Sequence, residues 1–189
     1  YEEEITVYID KVNPEISNVE ISETGWTNQD VTITVNATDD LSGFGVQAYS
    51  FDGGISWQEE NYKTYEENTK GIEMQIKDKA GNVTKHTESI NIENIDKVDP
   101  EIRLVSGERE ACLSIVLTVN ATDNLSGFGT ESYSFDNGES WQESNEKKYT
   151  ASTENIVIKI KDKAGNVVTH TESINIVIGH IEVIDRAVE

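Results

Sequence analysis

The chain reads as an all-β protein made of two tandem β-sandwich modules. Three observations predict this. First, motifs return at one fixed offset of 84 residues: Val35-Asn36-Ala37-Thr38-Asp39 recurs as Val119-Asn120-Ala121-Thr122-Asp123, Tyr49-Ser50-Phe51-Asp52 as Tyr133-Ser134-Phe135-Asp136, and Lys77-Asp78-Lys79-Ala80-Gly81-Asn82-Val83 as Lys161-Asp162-Lys163-Ala164-Gly165-Asn166-Val167. That period is too long for a solenoid unit and suits a small domain. Second, the apolar residues alternate with polar ones at period two, as in strands with one buried face. Third, no window shows sustained helical periodicity.

The elements follow in order. Residues 1–9 repeat, loosely, the end of the first module and are expected to be the last strand of a preceding repeat. The first module spans 10–95 and the second 96–178. The first strand of each begins at a proline, Pro14 or Pro100. Val31-Thr32-Ile33-Thr34-Val35 is a half-buried strand ending near Asp39, and its copy ends near Asp123. The third strand of each module runs into Asp52-Gly53-Gly54 or Asp136-Asn137-Gly138, where Gly and Asn accept positive φ cheaply. A short strand is expected after Trp57 or Trp141 and a weak one past Tyr65 or Tyr149. Ile72-Glu73-Met74-Gln75-Ile76 and Ile156-Val157-Ile158-Lys159-Ile160 alternate, and the Ala-Gly-Asn turns lead to the last strand. Six or seven short strands in a module of this length predict an immunoglobulin-like sandwich. The linker Ile95-Asp96-Lys97-Val98-Asp99-Pro100 is short and proline-stiffened, which predicts an extended arrangement. Residues 179–189 have no counterpart and read as a C-terminal extension.

Composition narrows the function. The net charge is -21, with 36 acidic against 15 basic residues. That argues against nucleic-acid backbones and anionic membranes as partners. It suits a soluble surface, and divalent cations. The lone cysteine, Cys112, lies in an apolar run and reads as a small buried hydrophobe. No apolar stretch reaches the roughly 20 residues needed to span a bilayer, so no membrane insertion is expected.

Two resemblances emerge. The run from Trp26-Thr27-Asn28 through Ala37-Thr38-Asp39, Ser42-Gly43, Tyr49-Ser50-Phe51-Asp52, Trp57 and Asp78-Lys79-Ala80-Gly81-Asn82 resembles the bacterial immunoglobulin-like repeats of surface proteins. The Asp-Lys-Val-Asp-Pro linker is similar to the junctions between such repeats. The second module departs at Gly107-Glu108-Arg109-Glu110-Ala111-Cys112, where the Trp26 element is missing. The resemblance implies a sandwich fold, an extracellular address on a bacterial, Gram-positive cell wall, and a stalk or adhesive role in cell adhesion. It implies a monomeric piece of a longer array and leaves the partner, a host protein or a glycan, unspecified. Separately, Ser50-x-Asp52-x-Gly54-x-Ser56-Trp57 and Ser134-x-Asp136-x-Gly138-x-Ser140-Trp141 resemble the Asp box of sialidases, which is a structural hairpin there and not the catalytic site.

Two chemistries compete at the acidic loops. A sandwich of this kind brings the loop after the second strand, the last turn and the chain entry to one end. The first set is Asp39, Asp40, Asp78 and Asn82, with Asp10 and Asn13 at the entry. The second is Asp123, Asn124, Asp162 and Asn166, with Asp96 and Asp99. Calcium takes 6–8 hard oxygen ligands. The candidate calcium ligands, expected at domain junctions, are therefore Asp39, Asp40, Asp78, Asp96, Asp99, Asp123 and Asp162. The competing reading is that each Asp caps its own turn. Catalysis has less to stand on. His86 and His170 occupy matched strand positions, but no serine elbow accompanies them. No Cys/His cluster suggests zinc. The expectation is a non-enzymatic spacer without catalytic residues or a cofactor other than calcium. The alternatives are a recognition module, with Tyr62, Tyr65 and Tyr149 in the variable stretches, or an accessory domain of a surface glycosidase.

Overall fold

A computed structural model describes residues 6–111 and 114–176. Residues 1–5, Cys112 and the extension from 179 lie outside the described residues, so the expectations placed on them are not carried further. The described residues 6–9 carry no strand. The chain divides into two units, one of residues 1–24 and 29–95, the other of residues 25–28 and 96–189. Every strand pairing is antiparallel, and no helix occurs among the described residues.

The first unit carries β1 (Glu15–Ile21), β2 (Val31–Thr38), β3 (Phe44–Ser50), β4 (Tyr62–Tyr65), β5 (Thr69–Ile72), β6 (Gln75–Asp78), β7 (Val83–Lys85) and β8 (Ile90–Ile92). One sheet has the order β1-β2-β4, a second β3-β6-β7, and β5 pairs with β8. The alternation of β2 fixes which face is inside. Val31, Ile33 and Val35 are at most 1% exposed, while Thr32 and Thr34 between them are not buried. They form one core with Ala48, Tyr49, Tyr65, Ile72, Met74, Ile76 and Ile92, drawn from strands of all three sheets. Each fully buried side chain of this kind contributes about 1.5–3 kcal/mol before entropy is counted.

The second unit carries β9 (Glu101–Ala111), β10 (Ser114–Thr122), β11 (Phe128–Ser134), β12 (Glu146–Tyr149), β13 (Thr153–Asp162) and β14 (Val167–Ile174). Its sheets have the orders β12-β10-β9 and β11-β13-β14. The core repeats the first: Leu117 and Val119 from β10, Ile156, Ile158 and Ile160 from β13, with Ile102, Val105 and Phe135.

Three departures from expectation are local. The strand expected after Trp57 or Trp141 is a single bridge, Tyr49–Gln58 or Tyr133–Gln142. The alternating run 72–76 is broken into β5 and β6 at Glu73 and Met74, and its partner is likewise split into β7 and β8, whereas β13 and β14 run through. In place of the missing Trp26 element, β9 and β10 extend into a longer hairpin, paired from Thr122–Glu101 to Ser114–Ala111.

Candidate functional site

Each unit carries the same two constructions, an acidic cluster and a serine–aspartate hairpin. The cluster of the first unit joins Asp10, Asp39 and Asp78, and that of the second joins Asp96, Asp123 and Asp162, each with carboxylate oxygens within 4.8 Å of one another. Each set falls inside one unit, the first in the first and the second in the second. Three stretches far apart in sequence meet there: the chain entry, the loop after the second strand, and the turn before the last. Asp40 and Asp99 are exposed and belong to neither group. Asp10 joins the first group instead, matching Asp96 in the Asp-Lys-Val-x-Pro run.

Backbone amides fix every one of these carboxylates. Asp123 Oδ2 accepts the Leu125 N–H at 3.1 Å and the Gly127 N–H at 2.6 Å. Asp39 Oδ2 accepts the Gly43 N–H at 2.5 Å. Asp162 Oδ1 accepts from Gly165 (2.7 Å) and Asn166 (2.8 Å), and Asp78 Oδ1 accepts the Asn82 N–H at 2.8 Å. Asp96 Oδ1 accepts the Val98 N–H at 3.0 Å and its Oδ2 the Ser126 N–H at 2.9 Å; Asp10 does the same with Val12 and Ser42. Asn166 then ties entry to turn, its Nδ2 donating to Asp162 Oδ2 (2.6 Å) and to the Asp96 carbonyl (2.9 Å). Asn82 repeats this with Asp78 Oδ2 (2.7 Å) and the Asp10 carbonyl (3.3 Å). The turn-capping expectation is met at Asp39, Asp78, Asp123 and Asp162, whereas Asp10 and Asp96 also hold the amide of a distant loop residue, Ser42 or Ser126.

Capping does not use every acceptor. Asp39 Oδ1 and Asp123 Oδ1 are sealed from solvent and meet no donor. Ser42 Oγ and Ser126 Oγ are sealed in the same way without an aligned partner. The Ser42 hydroxyl still lies close enough to act on Asp10: it is the first cause, with the Val12 N–H second, that holds the Asp10 carboxyl below its ordinary value.

Charge makes the arrangement costly as it stands. Two carboxylates at about this separation repel by roughly 3–4 kcal/mol at an effective dielectric of 20. Three of the six are nearly out of water, Asp78 and Asp162 at 3% and Asp96 at 1% exposure. The ion pairs Lys70–Glu93, Arg103–Glu101 and Lys148–Glu110 lie elsewhere. The second cluster is the drier. Gly25–Asn28 belong to that unit, where Asp96 N–H donates to the Thr27 carbonyl (2.9 Å) and Asn28 N–H to the Ala164 carbonyl (3.1 Å).

The hairpins are built for shape. Ser50 Oγ donates to Asp52 Oδ1 at 2.8 Å and accepts the Gly54 N–H at 2.9 Å. Asp52 Oδ1 also accepts the Ser56 N–H at 2.9 Å, and the Ser56 hydroxyl donates to Asp52 Oδ2. Gly53 (φ 74) and Gly54 (φ 92) take left-handed conformations that a side chain would strain. Trp57 Nε1 donates to the Gly54 carbonyl at 3.1 Å, and Lys77 Nζ sits 4.2 Å from its ring centre. Ser134, Asp136, Gly138 and Ser140 repeat the turn bonds, Lys161 Nζ lies 4.4 Å from the Trp141 ring centre, and Asn137 (φ 63) stands in place of the first glycine. Hydrogen bonds from Ser56 and Ser140 pull Asp52 and Asp136 down to about 2. Both are ionised at ordinary pH and act as acceptors within their own turns, which is no arrangement for a general acid.

Both hairpins match the BNR/Asp-box repeat, over residues 48–59 and 132–143. No curated protein and no solved structure matches the chain. The Asp-box resemblance of the sequence is thus shared by a family match at both copies.

The remaining candidates are scattered. His86 Nδ1 contacts the Glu88 carbonyl at 2.8 Å, and His170 Nε2 lies 3.5 Å from Glu172 Oε2. Each is engaged two residues along its own strand end. Of the three tyrosines, Tyr62 is half-exposed, Tyr149 is partly buried, and Tyr65 belongs to the core at 8% exposure.

Proposed function

We propose that this chain is a segment of immunoglobulin-like repeats from a bacterial cell-surface protein, serving as a non-enzymatic extended spacer. One observation carries the reading: every chemically notable construction occurs twice, at equivalent places in two units of the same design. A spacer gains reach from each added copy, whereas an active site gains nothing from a duplicate of its acids. The sheet orders support the immunoglobulin-like assignment. β1-β2-β4 and β3-β6-β7, like β9-β10-β12 and β11-β13-β14, divide the strands as the A-B-E and C-F-G strands of such a sandwich do, with its D strand missing. The hairpins support a structural role, since their polar atoms are consumed by the turn itself. The recognition alternative weakens because Tyr65 is core and only Tyr62 of the three tyrosines is well exposed.

Small-angle X-ray scattering on the 189-residue chain tests the spacer reading. The expected maximum dimension is that of two sandwiches end to end. A distribution of distances like that of one compact globule would overturn it, as would turnover of fluorogenic glycosides by the purified chain.

A further inference from the structure

We propose that each unit binds one hard divalent cation, Ca2+ by preference, among Asp10, Asp39 and Asp78 in the first and Asp96, Asp123 and Asp162 in the second. The inference does not rest on the spacer reading, because each cluster lies inside one unit.

Carboxylates alone would not carry this. The deciding observation is a set of buried oxygens with nothing to bind. Asp123 commits Oδ2 to two amides and leaves Oδ1 inside, out of solvent and without a donor. Ser126 is 3% exposed, its N–H sits on Asp96 Oδ2, and its Oγ is also without a partner. The first unit repeats the orphaned carboxylate oxygen with Asp39 Oδ1, while its Ser42 hydroxyl lies against Asp10. A buried polar atom without a partner is costly, so its recurrence in two copies calls for an occupant. A cation answers this better than water does, because three carboxylates converge there and water cannot offset their mutual repulsion.

The donor set selects the class. All the ligands are hard oxygens, with no sulfur or imidazole among them, which disfavours zinc and copper. Each carboxylate is pinned by amides that still leave lone pairs free, so the cluster is preorganised. Three carboxylates and a hydroxyl, irregularly placed and completed by water, suit the tolerant sphere of Ca2+ better than the strict octahedron of Mg2+.

Isothermal titration of CaCl2 into the chelator-treated chain tests this. The expected stoichiometry is two. Asp39→Asn and Asp123→Asn keep a side-chain oxygen for the capped amides, and each should reduce it to one; together they should abolish binding. Asp40→Asn and Asp99→Asn, outside the clusters, should leave it at two. Ser126→Ala should weaken one of the two sites while circular dichroism stays unchanged. If a cluster variant fails to fold, the wild-type chain decides through thermal unfolding in CaCl2 against EGTA. No heat and no shift in melting temperature at millimolar Ca2+ would overturn the proposal. So would a stoichiometry indifferent to the cluster variants, or equal responses to Ca2+ and Mg2+ that NaCl of matched ionic strength reproduces.

Discussion

At the scale of single residues, buried oxygens decide what each side chain contributes. Tyr65 shows this outside the clusters. Its hydroxyl is sealed in the core without a partner, and burial, with Asp52 adding to it, raises its pKa to about 12. A raised value means that folding favours the neutral phenol. Its contribution to stability is complete below the ordinary tyrosine pKa of about 10 and is lost as pH rises from there to about 12. Tyr65→Phe should therefore be neutral or slightly stabilising at pH 7, because it removes an unsatisfied hydroxyl. It should also remove part of the alkaline loss, as pH-dependent urea melts would register. Asp52 and Asp136 carry the opposite sign. Their folded values, about 2, lie below the ordinary 3.8, so their contribution is present above pH 4 and disappears as pH falls toward 2. The Asp52→Asn, Asp136→Asn double variant should melt below the wild type at pH 6, and the gap should narrow toward pH 2. A gap constant with pH would show that the charge plays no part. These roles were partly legible in sequence. The Ser-x-Asp-x-Gly spacing is local, and it announces its hydrogen bonds within four residues. Asp10 was reached through the sandwich topology and not through spacing, and Ser126 was not reached at all. Asp10 meets its turn through Asn82, 72 residues away, and Ser126 meets Asp96 across 30, distances at which spacing carries no geometric information.

At the scale of elements, period-two alternation located β2, β10 and β13 and chose their buried faces. It could not show where a strand stops pairing. The runs 72–76 and 156–160 read alike, yet one is broken and the other continuous. Pairing depends on the partner, and the partner differs: β14 aligns Thr169, His170 and Thr171 with Lys159, Ile158 and Val157, while β7 ends at Lys85 and β8 begins only at Ile90. The gap in the first unit retains a single rung, His86 N–H to the Met74 carbonyl at 2.9 Å. Amides at an interrupted ladder open with little local cost. Hydrogen exchange should therefore run faster at Glu73 and Met74 than at the matching 157 and 158, although Met74 is as buried as Ile158. Equal protection at both places would mean that core packing, and not the ladder, sets the opening energy. A single glycine-like position makes a sharper test in the hairpin. Gly53 has φ 74, and a Cβ there would sit 2.9 Å from Glu73 Oε2, so Gly53→Ala should destabilise, by about 1 kcal/mol or more. Gly53→Asn copies Asn137 of the other unit and should cost less than Ala in the same denaturant melt.

At the scale of the whole molecule, the duplication was the most legible feature and the acidic surplus the most consequential. Each unit encloses its own core, without residues shared between the two clusters of buried side chains. A core deletion should thus act on its own unit. Ile160→Ala, at a fully buried position, should destabilise the second unit by about 2–5 kcal/mol. Site-resolved hydrogen exchange should then show protection lost across β9–β14 and retained in β2, β3 and β6. Loss throughout the chain would mean that the units unfold as one. The net charge of -21 acts on both units alike, through diffuse repulsion that monovalent salt screens over about 10 Å at 0.1 M. Raising NaCl should therefore raise the melting temperature smoothly in the wild type and in the Ile160→Ala variant. The two perturbations separate cleanly, since screening lowers a cost common to every acidic residue, whereas a cavity at residue 160 removes contacts that only the second core contains. If salt rescued the variant more than the wild type, the loosened second unit would have to expose its own buried carboxylates, Asp96 and Asp162, and charge and packing would be coupled through that cluster.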